Sequence, residues 1–403
     1  MNFDLTEEQI QIRDLVREFA QREVAPHIRE WDAKGEFHRE VLDKLGEAGI
    51  LGLPIPEELG GLGLDYISLA LACEELEYVD TSLRVILSVH VGLNSLSLWQ
   101  WATPEQQQRW LVPQAEGTKI ATFGLTEPNA GSDAGSIEST VVRDGDSYIL
   151  NGSKMWISLA DVADHFLIFA SFDRSLRHKG LTAFVIERGM EGFTTGTIHG
   201  KLGVRAGNTG ELSFNNVRIP IENRIGEEGE GFKIAMSCID QGRFTVAAGA
   251  TGLIKASLDA STKYANERHT FGQQIGKHQL VQQMIAKQST NYEISRLLVM
   301  KAAELKNRGL RNTKETSLAK WYATDAALQA ADDAIQIHGS YGFSNEYPVE
   351  RFLRNARGSV IYEGTSQIHT ILQAEYALGY REDKALSHPQ PPAVGYDSNG
   401  PIA

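Results

Sequence analysis

The chain has 403 residues, 42% of them apolar, which is enough to bury more than one core. Its 39 basic and 52 acidic residues leave a formal charge of −13, a field that repels nucleic acid and anionic membrane, so any anionic ligand must be held by local chemistry. Cys73 and Cys238, its 2 cysteines, have no CxxC or Cys/His spacing, which argues against a disulfide framework or a metal site and fits a reducing, cytoplasmic setting.

The first stretch, MNFDLTEEQIQIRDLVREF, is acidic and periodic and lacks the basic-then-apolar pattern of a signal peptide. Thr6 with Gln9 reads as a capping box, and Ile10, Leu15, Val16, Phe19 and Val24 recur at helical spacing until Pro26. Helical patterns follow over Glu40–Ala48, Tyr66–Tyr78, Ser82–Trp101 and Pro104–Gln114, broken by the turn-rich PIPEELGGLGLD. Residues 1–119 are expected to form an all-helical domain. Apolar runs such as VILSVHVGL are too short to span a bilayer.

The signal then changes. STVVRDGDSYILNG sets an Asp-Gly turn between β-branched and aromatic runs, and HFLIFASF, LTAFVIER, FTTGTIHG and GELSFNNVRIP follow as short strands. Residues 120–231 are expected to form a small β-sandwich or barrel. Helical periodicity returns over 232–381, with breaks at ERHTFGQQIG, KNRGLRN and HGSYGFSNEYP, as in a four-helix bundle. Residues 382–403, rich in Pro, Gly and Ser, read as an extended tail. The fold class is therefore α+β and multidomain.

The strand-rich section opens with TFGLTEPNAGSDAG, Thr122–Gly135, whose small residues leave backbone N–H groups free and whose Thr126 and Ser132 add hydroxyls. Such a stretch suits a carbonyl-rich heterocycle or a phosphate, and equally a plain turn. No GxGxxG follows a strand, GEEGEG is too acidic to cradle a diphosphate, and no Walker motif is present.

TEPNAGSD, KMWIS (Lys154–Ser158), ERHTFGQQIGKHQ (Glu267–Gln279), QIHGSYGFSNEYPVERFLRNAR (Gln336–Arg357) and YEGTSQIH (Tyr362–His369) occur in that order. Together they resemble the ordered signatures of the acyl-CoA dehydrogenase family over roughly residues 1–380, which implies an FAD-dependent enzyme and a homotetramer. By that resemblance Phe123, Leu125, Thr126, Trp156 and Ser158 contact the isoalloxazine ring, Ser158 standing where the family often has Thr. Arg268 and Phe271, with Gln336, Gly339 and Ser340, resemble residues that grip the diphosphate and adenosine of FAD from a neighbouring subunit. The family commonly has Gly at the position of Ser340. Thr365 and Gln367 complete the FAD contacts. Asp240 and Arg243 match positions that bind the pantetheine arm, with Ser132 opposite; spaced three apart on a helix, they also suit an ordinary salt bridge.

Dehydrogenating a thioester needs a base for the α-proton and an acceptor for the β-hydride, and flavin supplies only the second. The resemblance assigns the base to Glu363, in SVIYEGTSQIHT, with its backbone N–H and a flavin hydroxyl stabilising the enolate oxygen, and Tyr362 and Gly364 flanking the substrate. Burial beside an apolar pocket would raise its pKa toward working pH. Some family members carry the base immediately before the residue matching Arg243; here Gly242 stands there.

Glu77 and Arg84 lie two turns apart if their helix is unbroken. They read either as an internal pair or, by resemblance to the glutaryl-CoA dehydrogenase branch, as receptors for the distal carboxylate of a dicarboxylyl-CoA, although Val85 replaces a polar Ser contact of that branch. The expected substrate is dicarboxylyl, with a short-chain or branched monocarboxylyl-CoA as the alternative. Electrons are expected to pass to an electron-transferring flavoprotein rather than to oxygen, since longer oxidases carry a second helical bundle. A non-catalytic helical scaffold is the rival from another class.

Overall fold

The computed structural model describes residues 4–396. Helix α1 (Glu7–Glu23) opens on the expected capping box, the Thr6 hydroxyl accepting the Gln9 N–H and the Gln9 side chain accepting the Thr6 N–H. A short helix that the periodicity does not announce, α2 (Ile28–Lys34), stops at a left-handed Gly35. Next come α3 (Glu40–Glu47) and α4 (Tyr66–Val79), the latter capped by Asp65.

The expected run from Ser82 to Trp101 is helical but not uniform. It starts as α5 (Thr81–Leu87), widens into a π segment at Ser88–Ser95 and resumes as α6 (Leu96–Trp101). A second π segment, Gln107–Leu111, likewise separates α7 (Pro104–Gln106) from α8 (Val112–Ala115). The first π segment has a structural use. His90 accepts the Ala121 N–H on Nδ1 at 3.0 Å, and Asn94 donates to the Thr122 carbonyl at 2.7 Å, so side chains of the helical section serve one edge of the first strand. Burial pushes the His90 pKa down to about 4, which keeps Nδ1 available as an acceptor.

The strands are β1 (Ala121–Gly124), β2 (Thr140–Asp144), β3 (Ser147–Ser158), β4 (His165–Ser171), β5 (Leu181–Glu187), β6 (Phe193–Thr197), β7 (Thr209–Pro220) and β8 (Arg224–Ile225). The expected sandwich or barrel is realised as one hydrogen-bonded sheet in the order β6-β7-β3-β2-β4-β5-β8, with β1 parallel to β4. The sheet forks at β4, where β2 touches only through Thr140 and Ser171 while β1 pairs along its whole length. The Asp-Gly turn closes β2 onto β3 with Gly145 at φ 61°. In β7 the inward alternation of Leu212 and Phe214 is reset before Val217 and Ile219 by Asn216, at φ 53°.

Four long helices, α9 (Gly231–Glu267), α10 (Gln279–Asn307), α11 (Thr313–His338) and, after α12 (Val349–Ser359), α13 (Ser366–Ala377), follow the strands. A two-residue hairpin, His269–Thr270 against Gln273–Gln274, joins α9 to α10. One face of α9 carries Gly242, Thr245, Gly249 and Gly252 at three- and four-residue spacing, and everything opposite it sits close. A Cβ on Gly252 would stand 2.0 Å from the Glu74 carbonyl oxygen, one on Gly249 2.1 Å from Glu77 Oε2, and one on Gly242 2.0 Å from Glu363 Oε2.

Over its described residues the segment after α13 forms no helix or strand and is tied down, while residues 397–403 of the expected tail lie outside the described residues. Arg311 pairs with Asp383, Gln100 donates to the His388 carbonyl, the His388 ring lies 4.5 Å from Trp101, and Ala393 N–H donates to the Asn307 carbonyl. Among the described residues no helix is long and apolar enough to cross a membrane.

Alanine stabilises an open helix position by about 1 kcal/mol relative to glycine. Gly252→Ala should do the reverse, because its Cβ meets backbone of α4 rather than the end of a movable side chain. The expected loss is about 1–3 kcal/mol, read as a lower urea midpoint; a raised midpoint would contradict the packing described.

Candidate active site

The connection from α12 to α13 is built around two consecutive left-handed residues, Glu363 at φ 54° and Gly364 at φ 95°. A non-glycine residue in that region is costly, so the surroundings must hold it. Thr365 begins α13 by accepting the Ile368 N–H at 3.3 Å. From α9, Arg243 Nε donates to the Glu363 carbonyl at 3.2 Å, and from α11, Lys320 Nζ donates to the Gly364 carbonyl at 2.7 Å. His369, whose Nδ1 meets the Ser317 hydroxyl at 2.8 Å, packs against Gly364.

The Glu363 carboxylate sits against the bare Cα of Gly242, where a Cβ would also lie 2.6 Å from Leu93. Its Oε2 is buried without a hydrogen-bond partner, the one carboxylate oxygen of that kind among the described residues. Burial pushes the Glu363 pKa up to about 7, against the downward pull of Arg84, Lys320 and Arg243. Gly242 thus supplies room rather than chemistry, since a side chain there would occupy the place of the carboxylate.

Glu77 and Arg84 do not share an unbroken helix. Asp80 is extended at φ −163°, ψ 141°, ending α4 and capping α5 through the Ser82 N–H. Arg351 and Asn355 of α12 each hold the other Asp80 oxygen at 3.0 Å. Even so, Arg84 Nε reaches Glu77 Oε2 at 2.5 Å, with both side chains 1% exposed. Its Nη1 donates to Ser88 at 3.0 Å and its Nη2 to the Tyr362 hydroxyl at 2.6 Å, while the Thr81 hydroxyl donates to the second Glu77 oxygen. The guanidinium therefore neighbours the Glu363 turn through Tyr362, with its charge already matched.

Asp240 and Arg243 form the salt bridge that their spacing permits, at 3.1 Å, and the Thr313 hydroxyl donates to the second Asp240 oxygen at 2.6 Å. Ser132 lies exposed on the loop after β1.

That loop and β3 are joined twice. Met155 N–H donates to the Thr126 carbonyl at 2.9 Å, and the buried Lys154 ammonium reaches Glu127 at 2.7 Å and the Leu125 carbonyl at 3.2 Å. Trp156 falls where the β3–β7 register shifts between Lys154 and Ile157; with φ 64° it stands out of the sheet, 56% exposed. Thr126 and Ser158 are half-buried on the same two segments. An uncovered indole beside two hydroxyls fits a flat heterocycle with polar edges. Phe123 packs 5.2 Å from Phe169 and Leu125 is buried, so these two side chains turn toward the core.

The remaining candidates are not brought here. Arg268, Gln336, Gly339 and Ser340 are exposed where α9 and α11 end, and Phe271, on the hairpin, is 95% exposed at φ 50°. At about 1.5 Å per residue, the end of α9 lies roughly 37 Å along the helix from Gly242. Thr365 and Gln367 remain beside Glu363 at the start of α13.

Lys320, His369 and the Glu127–Lys154 pair were not picked out from sequence as site residues. The available signal was a charged residue on the small, apolar face of a helix: Lys320 lies among buried Ser317, Ala319, Ala323 and Thr324.

Over residues 6–118, 122–217 and 229–378 the chain matches profiles described as the acyl-CoA dehydrogenase N-terminal, middle and C-terminal domains. It is 43% identical over 372 residues to the short-chain specific acyl-CoA dehydrogenase of Clostridium acetobutylicum, covering 92% of this chain and 98% of that one. A chain solved in work on the electron transferring flavoprotein of Acidaminococcus fermentans superposes with a TM-score of 0.92 at 45% identity, covering 94% of this chain and 100% of that one. A glutaryl-coenzyme A dehydrogenase in complex with glutaryl-CoA also gives 0.92, at 38% identity, over 94% and 98% of the two chains.

Gly242→Ala separates room from fold. The atoms nearest its Cβ would be the ends of two flexible side chains, Glu363 and Leu93, so the protein should remain folded while the carboxylate is displaced. Turnover is expected to fall about 100-fold at nearly unchanged melting temperature; native turnover would show that the observed carboxylate position is not the one that matters.

Proposed function

Because the chain belongs to the acyl-CoA dehydrogenase family of FAD-dependent oxidoreductases, we propose that Glu363 is the base that takes the α-proton of a bound acyl-CoA, yielding the 2-enoyl thioester. The observation that carries this reading is the buried, unpartnered Oε2 of Glu363 on a left-handed turn. With its pKa near 7 the carboxylate is ionised in part at neutral pH yet is basic enough to compete for a weakly acidic C–H proton. The same turn leaves the Glu363 N–H without an acceptor among the described residues, free to meet the oxygen of the thioester carbonyl as charge develops there. Arg243 and Lys320 fix the turn, and Leu93 helps to exclude water.

Bound FAD supplies the acceptor for the hydrogen that leaves the β-carbon with its electron pair. Thr126, Trp156, Ser158, Thr365 and Gln367 would hold its flavin end, with Phe123 and Leu125 contributing from the end of β1. Arg268, Phe271, Gln336, Gly339 and Ser340 stand too far along the bundle to reach the same molecule within one chain, which supports an assembly, proposed as a homotetramer, in which a second copy supplies them. Asp240, Arg243 and Ser132 are proposed to line the path of the pantetheine arm, and Tyr362 and Gly364 to flank the acyl group. Electrons are proposed to pass on to an electron-transferring flavoprotein. The two free, buried cysteines support a reducing, cytoplasmic setting.

For the acyl group we favour a short monocarboxylyl chain. The short-chain relative supports it, and so does Arg84, whose charge is already met by Glu77. The dicarboxylyl reading keeps one support, the likeness to the glutaryl-CoA complex.

Glu363→Gln is expected to bind FAD as the native protein does while turnover falls by about 10²–10⁴-fold or more; a rate close to native would sink the assignment. An anaerobic titration comparing butyryl-CoA, isobutyryl-CoA and glutaryl-CoA should show flavin bleaching by a monocarboxylyl thioester. Bleaching by glutaryl-CoA alone would reverse the choice of substrate. A colourless protein unable to take up FAD would favour a scaffold, and oxygen consumption in step with turnover an oxidase.

A further inference from the structure

We propose that Lys320 is a positioning residue for the reaction: from α11 it fixes the turn that carries Glu363 and, as the cation beneath that turn, sets the pH at which the carboxylate works. The inference rests on the reading of Glu363 as the base.

The geometry comes first. Lys320 is fully buried, and among the described residues its ammonium has one acceptor, the Gly364 carbonyl at 2.7 Å. Gly364 is left-handed and encloses its own Cα so closely that a Cβ would lie 3.0 Å from His369 Nε2 and 3.2 Å from Arg243 Nη2. The turn therefore has little room to relax, and its two carbonyls are held from opposite helices, Glu363 by Arg243 and Gly364 by Lys320. A lysine buried on a helix face of alanine, serine and threonine is expensive unless something uses the charge. Among the described residues no carboxylate lies within salt-bridge distance of it. A neutral donor of similar reach would satisfy the carbonyl, so the hydrogen bond alone does not account for a cation.

Electrostatics supplies the second part. The ionisable groups around the turn are Arg84 from α5, Cys73 from α4, Arg243 from α9, Lys320 and Asp325 from α11, His369 from α13 and the neighbouring Tyr362. Cys73 and Tyr362 are pushed upward, chiefly by burial, and His369 downward by the same cause, so these three are neutral near pH 7. Arg84 is matched by Glu77 and Arg243 by Asp240, which leaves Lys320, on which Asp325 acts without forming an ion pair, as the one of these three cations with no paired carboxylate among the described residues. Burial brings Lys320 itself down to about 7, with Glu363 pulling it back up, so ammonium and carboxylate titrate over the same range as a coupled pair. The sign follows directly. The cation favours ionised Glu363, so removing it raises the carboxyl pKa and moves the acid limb of activity to higher pH.

The test uses the FAD-loaded protein and three variants. Lys320→Met removes charge and donor, Lys320→Gln removes only the charge, and Lys320→Arg keeps both. In Lys320→Met and Lys320→Gln the acid limb of kcat/KM should move up by about one unit or more, and Lys320→Met should additionally lose about 10–100-fold in kcat. An independent readout is the infrared band of protonated Glu363, identified by its absence in Glu363→Gln, whose titration should move in the same direction. The Arg variant should keep limb and band near their native positions. If Lys320→Met and Lys320→Gln accumulate only unfolded, a folded Lys320→Arg decides: native titration supports the proposal, and an upward shift overturns it. Unshifted limb and band in folded Lys320→Met or Lys320→Gln also overturn it. Substantial turnover by Glu363→Gln would instead remove the reading of the base, a result distinguishable because the infrared titration does not depend on activity.

Discussion

What the site depends on is a helix face kept nearly bare by three glycines. Along α9, Gly242 and Gly249 sit where a Cβ would collide with the carboxylates of Glu363 and Glu77, and Gly252 where it would collide with the backbone of α4. Glycine within a helix gives up stability relative to alanine, about 1 kcal/mol at each position. Here that cost is offset by close approach: α4 reaches backbone distance, the Glu77–Arg84 pair is enclosed, and a carboxylate is held dry at the end of the same row. That row of glycines thereby sets the surroundings of the ion pair and the burial that raises the Glu363 pKa.

A second constraint is backbone conformation. Trp156, Phe271 and Glu363 all have positive φ, a state that costs a non-glycine residue stability and persists only where neighbours enforce it. Two of the three, Trp156 and Phe271, also expose their aromatic side chains. In each case the strain turns the side chain off the path that the strand or turn would otherwise give it. At Trp156 the enforcement is visible: the register shift in β3 and the Lys154–Glu127 pair hold the strand and the loop before it together.

Much of the fold was legible in the sequence because its determinants are local. The Thr6–Gln9 capping box, the Asp-Gly hairpin before β3 and the breaks between the long helices each depend on a few adjacent residues. Long-range features were not legible. Asp80 breaks the helix between Glu77 and Arg84 because Arg351 and Asn355, far along the chain, hold its carboxylate. The π segment at Ser88–Ser95 goes with docking of His90 and Asn94 onto β1, which a helical periodicity cannot express. Glu363 stood out in the sequence through its motif, whereas Lys320 read as one more helix residue until the turn it supports was folded over it. For the same reason the exposed group around Arg268 and Phe271 belongs to the same motif set as Glu363 and yet lies at the opposite end of a long helix.

Asp65 caps α4 through the Ser68 N–H, and one of its oxygens accepts the Gln9 amide at 2.8 Å and the Tyr396 hydroxyl at 3.2 Å. A single carboxylate thus gathers partners from near the start of the chain and from the last described residue. With the contacts of His388 and Ala393, this makes the helical section that is synthesised first one of the last to be finished. Until residues 388–396 have been made, Asp65 and Trp101 lack partners that the finished fold gives them. The order of synthesis therefore runs against the order of completion, and the first helices gain their last contacts from residues made after the bundle.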